Sequence, residues 1–217
     1  AATRGTPTPL FPGTARLDWG ARRMYNSSAL IGPEGEVLSW YDKVHLAPFG
    51  EYVPLGRFLP FVQAVVPGAG LLAGDAPVVM EAGERRFGPL ICFEVLFGPM
   101  ARWYAAHGAD FLVVITNLGW FGGSSAIPQE LEIARMRAIE TRLPLVHCAN
   151  TGISGVFDAS GNFSGAVNWL SSNGLVMELR DGDPGVLTMR RVFGVLPVPP
   201  AGGAGLPFGV AWFGWGM

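Results

Sequence analysis

Residues 111–116 read Phe-Leu-Val-Val-Ile-Thr, an apolar and β-branched run without a charge or a break. A strand with one solvated face alternates polar and apolar residues, so a continuous run marks a strand covered on both faces. The flanking sequence says what covers it. Residues 95–107 carry apolar side chains at helical spacing and stop at Gly108, the residue type that closes a helix in left-handed backbone. Residues 128–142 open with Pro128, place Glu130 and Glu132 near the start, and keep Leu131, Ala134 and Ala138 on one side, all marks of a helix. Shorter strands are expected at 145–149 and 153–158, the second ending in an Asp-Ala-Ser-Gly-Asn turn, with more short strands to about residue 196. Strands buried between helices argue a layered α/β sandwich rather than a helical bundle.

Upstream, residues 24–31 and 37–41 read as a β-hairpin around Gly32-Pro33-Glu34-Gly35, and 78–82 with 86–93 as a second strand pair. Between the pairs lie a polar, Pro-containing loop over 42–56 and a short amphipathic helix over 57–66. Residues 1–22 are aperiodic and rich in Pro, Gly and Thr, and are expected to be irregular. The domain proper then spans 23–198, and 199–217 is a linker. The final stretch, LPFGVAWFGWGM over 206–217, holds two Trp and no charge. It reads either as a tail packed on the core or as the first turns of a membrane helix with tryptophans at the interface.

Composition narrows the function classes. The chain has 217 residues, long enough for one substantial core, and 12% aromatic residues exclude a disordered chain. Only 15% of residues are charged, well below the usual quarter or so, which suits a protein working at an apolar surface. A net charge of −2 without any Lys/Arg cluster excludes a nucleic-acid partner, which needs a basic face. Two cysteines exclude a disulfide scaffold and a four-thiolate zinc site, and three histidines without ligand spacing argue against any metal. No cofactor is expected.

Chemistry centres on two blocks. Cys92, in ICFEVLFG over 91–98, falls at the end of an apolar strand where a helix should start, and unpaired N–H groups there favour a reactive thiolate. The competing reading is an inert core thiol, the commoner fate of a free cysteine and the one adopted for Cys148. Lys43, in YDKVHLAPFGEYVPL over 41–55, is either a solvated charge or an ammonium held near that thiol. Glu51 follows on the same loop, and Glu94 lies two residues past Cys92, placed to hold the lysine or to order the site.

These two blocks, followed by NLGWFG over 117–122 and ARMRAIETRLPLVHCANTGISGVFDASG over 134–161, resemble the nitrilase (carbon–nitrogen hydrolase) superfamily. Within it the likeness is to the bacterial apolipoprotein N-acyltransferases, and it runs from about residue 25 to 161. The resemblance implies an α-β-β-α four-layer sandwich, incomplete at the N-terminus. It implies Cys92 as nucleophile, Lys43 as oxyanion stabiliser, Glu51 as an additional essential loop glutamate and Glu94 as the glutamate after the nucleophile. The N–H of Phe93 would be the oxyanion donor. The implied reaction moves an acyl chain from a phospholipid, through a cysteine thioester, to the N-terminal amine of a diacylglyceryl-modified lipoprotein. That would be done by a monomer on the outer face of the bacterial inner membrane. Two other readings stand beside it: a soluble amidase of the same superfamily, and a catalytically dead interaction domain.

The chain departs from the family pattern in four places. The general-base glutamate should precede Lys43, but only Glu34 and Glu36 occur there, both in the hairpin turn. The chain by itself is therefore expected to be inactive. Phe93 stands where Tyr is frequent, Leu118-Gly119 precede Trp-Phe-Gly where Asp or Asn plus Ala is usual, and Glu130 follows Gln129 where His is common.

Overall fold

The computed structural model describes residues 9–54, 70–150 and 152–167. Two β-sheets lie face to face. The first holds β1 (Gly13–Asp18), β2 (Arg23–Ile31) and β3 (Val37–Asp42) as an antiparallel meander, with β4 (Leu71–Leu72) joining β2 in parallel. The second holds β5 (Met80–Ala82), β6 (Arg85–Ile91), β7 (Phe111–Thr116), β8 (Leu145–Ala149), β9 (Ser154–Phe157) and β10 (Phe163–Val167), in the order β10-β9-β8-β7-β6-β5. Strands β6, β7 and β8 are parallel, and the remaining pairs antiparallel. Parallel neighbours need crossovers, supplied by α1 (Gly98–Ala106) and α2 (Ala126–Thr141), which pack against each other on one face of this sheet.

Strand β6 shows how both faces are covered. Phe87 turns toward the first sheet and meets Phe11 edge-on, with ring centroids 5.0 Å apart. Gly88, the next residue, turns toward α1, where an added Cβ would come within 2.4 Å of the Tyr104 ring. A glycine there lets helix and sheet close without a void. All six residues of β7 are buried, as its uninterrupted apolar run requires. One core therefore joins Phe11, just ahead of β1, and Leu30 and Tyr41 from the first sheet with the second sheet and both helices. The layering among the described residues is helix, sheet, sheet. On the outer face of the first sheet the described residues hold no helix.

Three expectations differ from what is observed. Residues 13–18, expected to be irregular, form β1, paired along its whole length with β2. The signal was weak because this edge strand has no clean alternation; Arg16 holds it by bonding across to Asp42 on β3, with Nε donating to Oδ1 at 2.8 Å. Residues 92–96, expected to begin a helix, form a short 3-10 turn, and α1 starts only at Gly98. Pro99 explains the restart, because proline fits the first turn of a helix and not its interior. Helix α2 begins at Ala126, so that Pro128 lies inside its first turn rather than at its start. The helix expected over 57–66, the strands expected after Val167 and the segment 199–217 lie outside the described residues.

Candidate active site

The carboxyl ends of β6 and β7 meet the loop that follows β3, and the chemistry gathers there, as it does in many α/β sheets. Cys92 is the first residue after β6 and has φ of +51°, a left-handed conformation that costs a non-glycine residue energy. Such strain persists where surrounding structure over-determines it, and it turns a side chain out of the strand's own direction. Neighbouring β7 ends at Thr116, one step beyond the Ile91–Ile115 pair, which sets its hydroxyl beside the start of the turn at Cys92.

Burial raises the Cys92 thiol pKa above its ordinary value. The Lys43 ammonium is the strongest influence pulling the other way, the Thr116 hydroxyl assists it, and the charges of Glu130 and Glu51 oppose it. The expectation of a thiolate favoured by a helix N-terminus is thereby corrected. A five-residue 3-10 turn stands in the helix's place, and desolvation outweighs the helping charge. Desolvation thus holds the Cys92 sulfur toward its protonated, thiol form.

Lys43 is not a solvated charge, since only 1% of it is exposed. A buried ammonium needs a partner, and its Nζ donates to Glu51 Oε2 at 2.7 Å. The same carboxylate closes its own loop by accepting Ala47 N–H at 2.7 Å, and Asn26 on β2 donates to its other oxygen at 2.5 Å. The backbone of Lys43 is fixed as well: its N–H donates to Asn26 O and its carbonyl accepts Gly74 N–H, both at 2.8 Å.

Glu94 has no exposed surface and does not bond Lys43; it accepts four hydrogen bonds instead. Oε1 receives Tyr41 O–H at 2.8 Å, Val44 N–H at 2.7 Å and His45 N–H at 3.0 Å, while Oε2 receives Ile91 N–H at 2.8 Å. Burial raises its carboxyl pKa, and the amides of Ile91 and His45, the Tyr41 hydroxyl and the Lys43 charge oppose that. Of the two roles the sequence left open for Glu94, the geometry fits ordering of the site. The carboxylate ties the lysine loop to the turn at Cys92. Glu94→Gln puts an NH2 group against N–H donors, and is expected to lower unfolding stability by about 2–4 kcal/mol, given about 1.5–3 per hydrogen bond to a charged group. Urea denaturation checks this, and an unchanged midpoint would mean that the tie is dispensable.

Neither glutamate before Lys43 joins this cluster: Glu34 and Glu36 lie exposed in the turn between β2 and β3. Cys148 lies within β8, paired with Ile115, and burial alone pushes its thiol up to about 12. Among the described residues no group of His, Cys, Asp or Glu could hold a metal ion, and no helix is long and apolar enough to cross a membrane.

Residues 11–181 match the family model described as carbon-nitrogen hydrolase, which is most of the chain. The chain belongs to the carbon–nitrogen hydrolase family. Among curated members it is 42% identical to the apolipoprotein N-acyltransferase of Geobacter metallireducens over 76% of this chain and 32% of that protein. It is 39% identical to the protein of that name from Rhodopseudomonas palustris over 89% of this chain and 34% of that one. The chain thus spans about a third of the length of these carbon–nitrogen hydrolase relatives. Among solved structures it resembles a mutant amidase of Nesterenkonia sp. AN1 that carries the acetamide moiety of fluoroacetamide on its active-site cysteine. That likeness has a TM-score of 0.58 and 25% identity over 75% of this chain and 58% of that one. Saccharomyces cerevisiae Nit3 shares the fold, with a TM-score of 0.55 and 20% identity over 72% of this chain and 54% of that one.

The structure brings Cys92, Phe93, Lys43, Glu51 and Glu94 into one region. It adds Thr116, Asn26 and Tyr41, which sequence reasoning missed because the groups they act on lie far off in sequence, in a loop and a turn. It also adds Glu130, noted in the sequence only as a departure from the family pattern, whose charge reaches Cys92 from α2.

Proposed function

We propose that this chain is the catalytic domain of a membrane-associated N-acyltransferase and that Cys92 carries the acyl group. The observation behind this reading is the buried Lys43 ammonium, held by Glu51 and acting on a thiol set in strained backbone after β6. The identities of 37–42% to apolipoprotein N-acyltransferases point the same chemistry toward lipoprotein acylation.

Cys92 Sγ attacks an ester carbonyl of a phospholipid; a thioester forms, the ester C–O bond breaks and a lysophospholipid leaves with the proton. The N-terminal amine of a diacylglyceryl-modified protein then attacks the thioester; an amide forms and the thiol returns. Lys43 Nζ and Phe93 N–H stabilise the oxyanion of each step. The N–H of Phe93 suits this, because the 3-10 bonding pattern gives it no acceptor within its own turn. Glu51 positions Lys43, and Glu94 positions the loop that carries it. Both substrates lie in a bilayer, so the domain works at a membrane surface, the outer face of the inner membrane.

The test supplies the full-length protein, in detergent, with phospholipid and a synthetic diacylglyceryl-cysteine peptide, and follows both products. Acyl-Cys92 followed by N-acylated peptide is expected. Release of free fatty acid without peptide acylation would mark a hydrolase instead, the soluble amidase reading.

A further inference from the structure

The two ends of the first sheet differ in character. At one end Trp19-Gly20-Ala21-Arg22 joins β1 to β2, with Asp18 and Arg23 paired across the strands at its base. Trp19 is 82% exposed, Leu17 ahead of it 48%, and Arg22 is exposed in left-handed backbone. The tip is held in shape, because Asp18 Oδ1 accepts the Ala21 N–H at 2.9 Å. At the other end the turn between β2 and β3 sets Glu34 and Glu36 in solvent, beside exposed Val37 and Leu38. The nine residues of β2 separate these ends by about 30 Å.

The tip and the candidate site share an end. Lys43 N–H donates to Asn26 O, and the Asn26 side chain donates to Glu51. On β2, Asn26 and Arg23 are three positions apart, so about 10 Å of strand separates the lysine's anchor from the base of the tip. An exposed indole suits the headgroup level of a bilayer, where its apolar body and its N–H are both satisfied. A guanidinium beside it suits lipid phosphate, which it bonds through two N–H groups at once. Asp18, the acid nearest the tip, has Arg23 opposite it, whereas the tip itself holds Arg22 and no acid. The field of an anionic leaflet falls off within about 10 Å, so it acts on Arg22 and not on the remote Glu34 and Glu36. Turned over, the sheet would press those two carboxylates against the same charge.

Resting on the reading of a membrane-associated enzyme, we propose that the β1–β2 tip docks on an anionic phospholipid surface. Trp19 enters the headgroup layer and Arg22 bonds the phosphates. Docking there turns the lysine end of the domain toward the lipid and the turn of Glu34 and Glu36 away from it. The tip orients the domain and takes no part in the bond-making steps.

Vesicle flotation of this chain tests the docking, with phosphatidylcholine alone and with an equal mixture of phosphatidylcholine and phosphatidylglycerol. Trp19→Ser should weaken binding to both by about tenfold, since it removes the apolar anchor. Arg22→Gln should weaken binding to the mixed vesicles by about fivefold and leave phosphatidylcholine unchanged, and added salt should erase that difference. Neither side chain is buried, and thermal melting of each variant reads whether the fold is intact. Trp19 emission, taken as the difference between wild type and Trp19→Phe, should be quenched by lipids brominated near the headgroup. Unchanged binding in Trp19→Ser, or an unquenched Trp19, overturns the inference, as does a tip whose variants lose only self-association. No acceptor peptide enters this measurement, so its failure leaves the acyltransferase reading standing. A full-length enzyme that docks through the tip yet never forms acyl-Cys92 overturns that reading alone.

Discussion

Cys92→Ala is expected to abolish the acyl-enzyme, whereas Cys148→Ala should leave it within about twofold of wild type. Burial raises the pKa of both thiols, so depth alone does not tell them apart. Cys148 has nothing to offset it: its thiol, pushed to about 12, sits inside β8 with no opposing charge acting on it. Cys92 has the Lys43 ammonium and the Thr116 hydroxyl, and its backbone leaves the strand with φ of +51°. Because its pKa stays above the ordinary thiol value, alkylation of Cys92 should climb with pH through the alkaline range rather than level off near neutrality. Mass spectrometry of the thioester peptide after incubation with phospholipid reads the outcome directly. An acyl group found on Cys148, or anywhere in Cys92→Ala, would remove Cys92 from the mechanism.

Lys43→Arg should fail nearly as badly as Lys43→Ala, each losing about 10²–10³-fold in acylation rate, the range for removal of one oxyanion-hole donor. The cause is room and shape rather than charge. The ammonium is held 2.7 Å from Glu51 with 1% of the residue exposed, so a planar guanidinium has no space to enlarge into. In Lys43→Ala the Glu51 carboxylate keeps Ala47 and Asn26 as donors, so the loop can persist while the chemistry is lost. Stopped-flow acylation alongside thermal melting separates the two effects. Near-wild-type acylation by Lys43→Arg would show that a positive charge in the neighbourhood suffices.

What could be read from the residues depended on how local the cause was. Strand β7 was legible because burial on both faces writes itself into six consecutive residues. Its flanking helices were legible from their periodicity, although the start of α1 moved to where Pro99 fits. Strand β1 was not, since an edge strand held by an Arg16–Asp42 bond to a distant partner need not alternate. In the site, Lys43 and Glu51 share one loop, and their pairing could be suspected from that nearness. The role of Glu94 could not be fixed, because it is defined by groups from other elements. Nor does any residue type announce the left-handed backbone of Cys92.

The four bonds to Glu94 bear on the order of folding. One donor, Ile91, is three residues away, but Tyr41, Val44 and His45 lie 53, 50 and 49 residues off in sequence and belong to the other sheet and its loop. Closing so long a stretch of chain costs entropy before any bond rewards it, so contacts of this range form slowly. The second sheet can assemble its parallel strands and the turn at Cys92 by itself, yet the lysine reaches the thiol only when the sheets dock. Thiol and cation are thus kept apart in every half-folded chain, and a partly made domain exposes a buried-type thiol without the charge that offsets its burial.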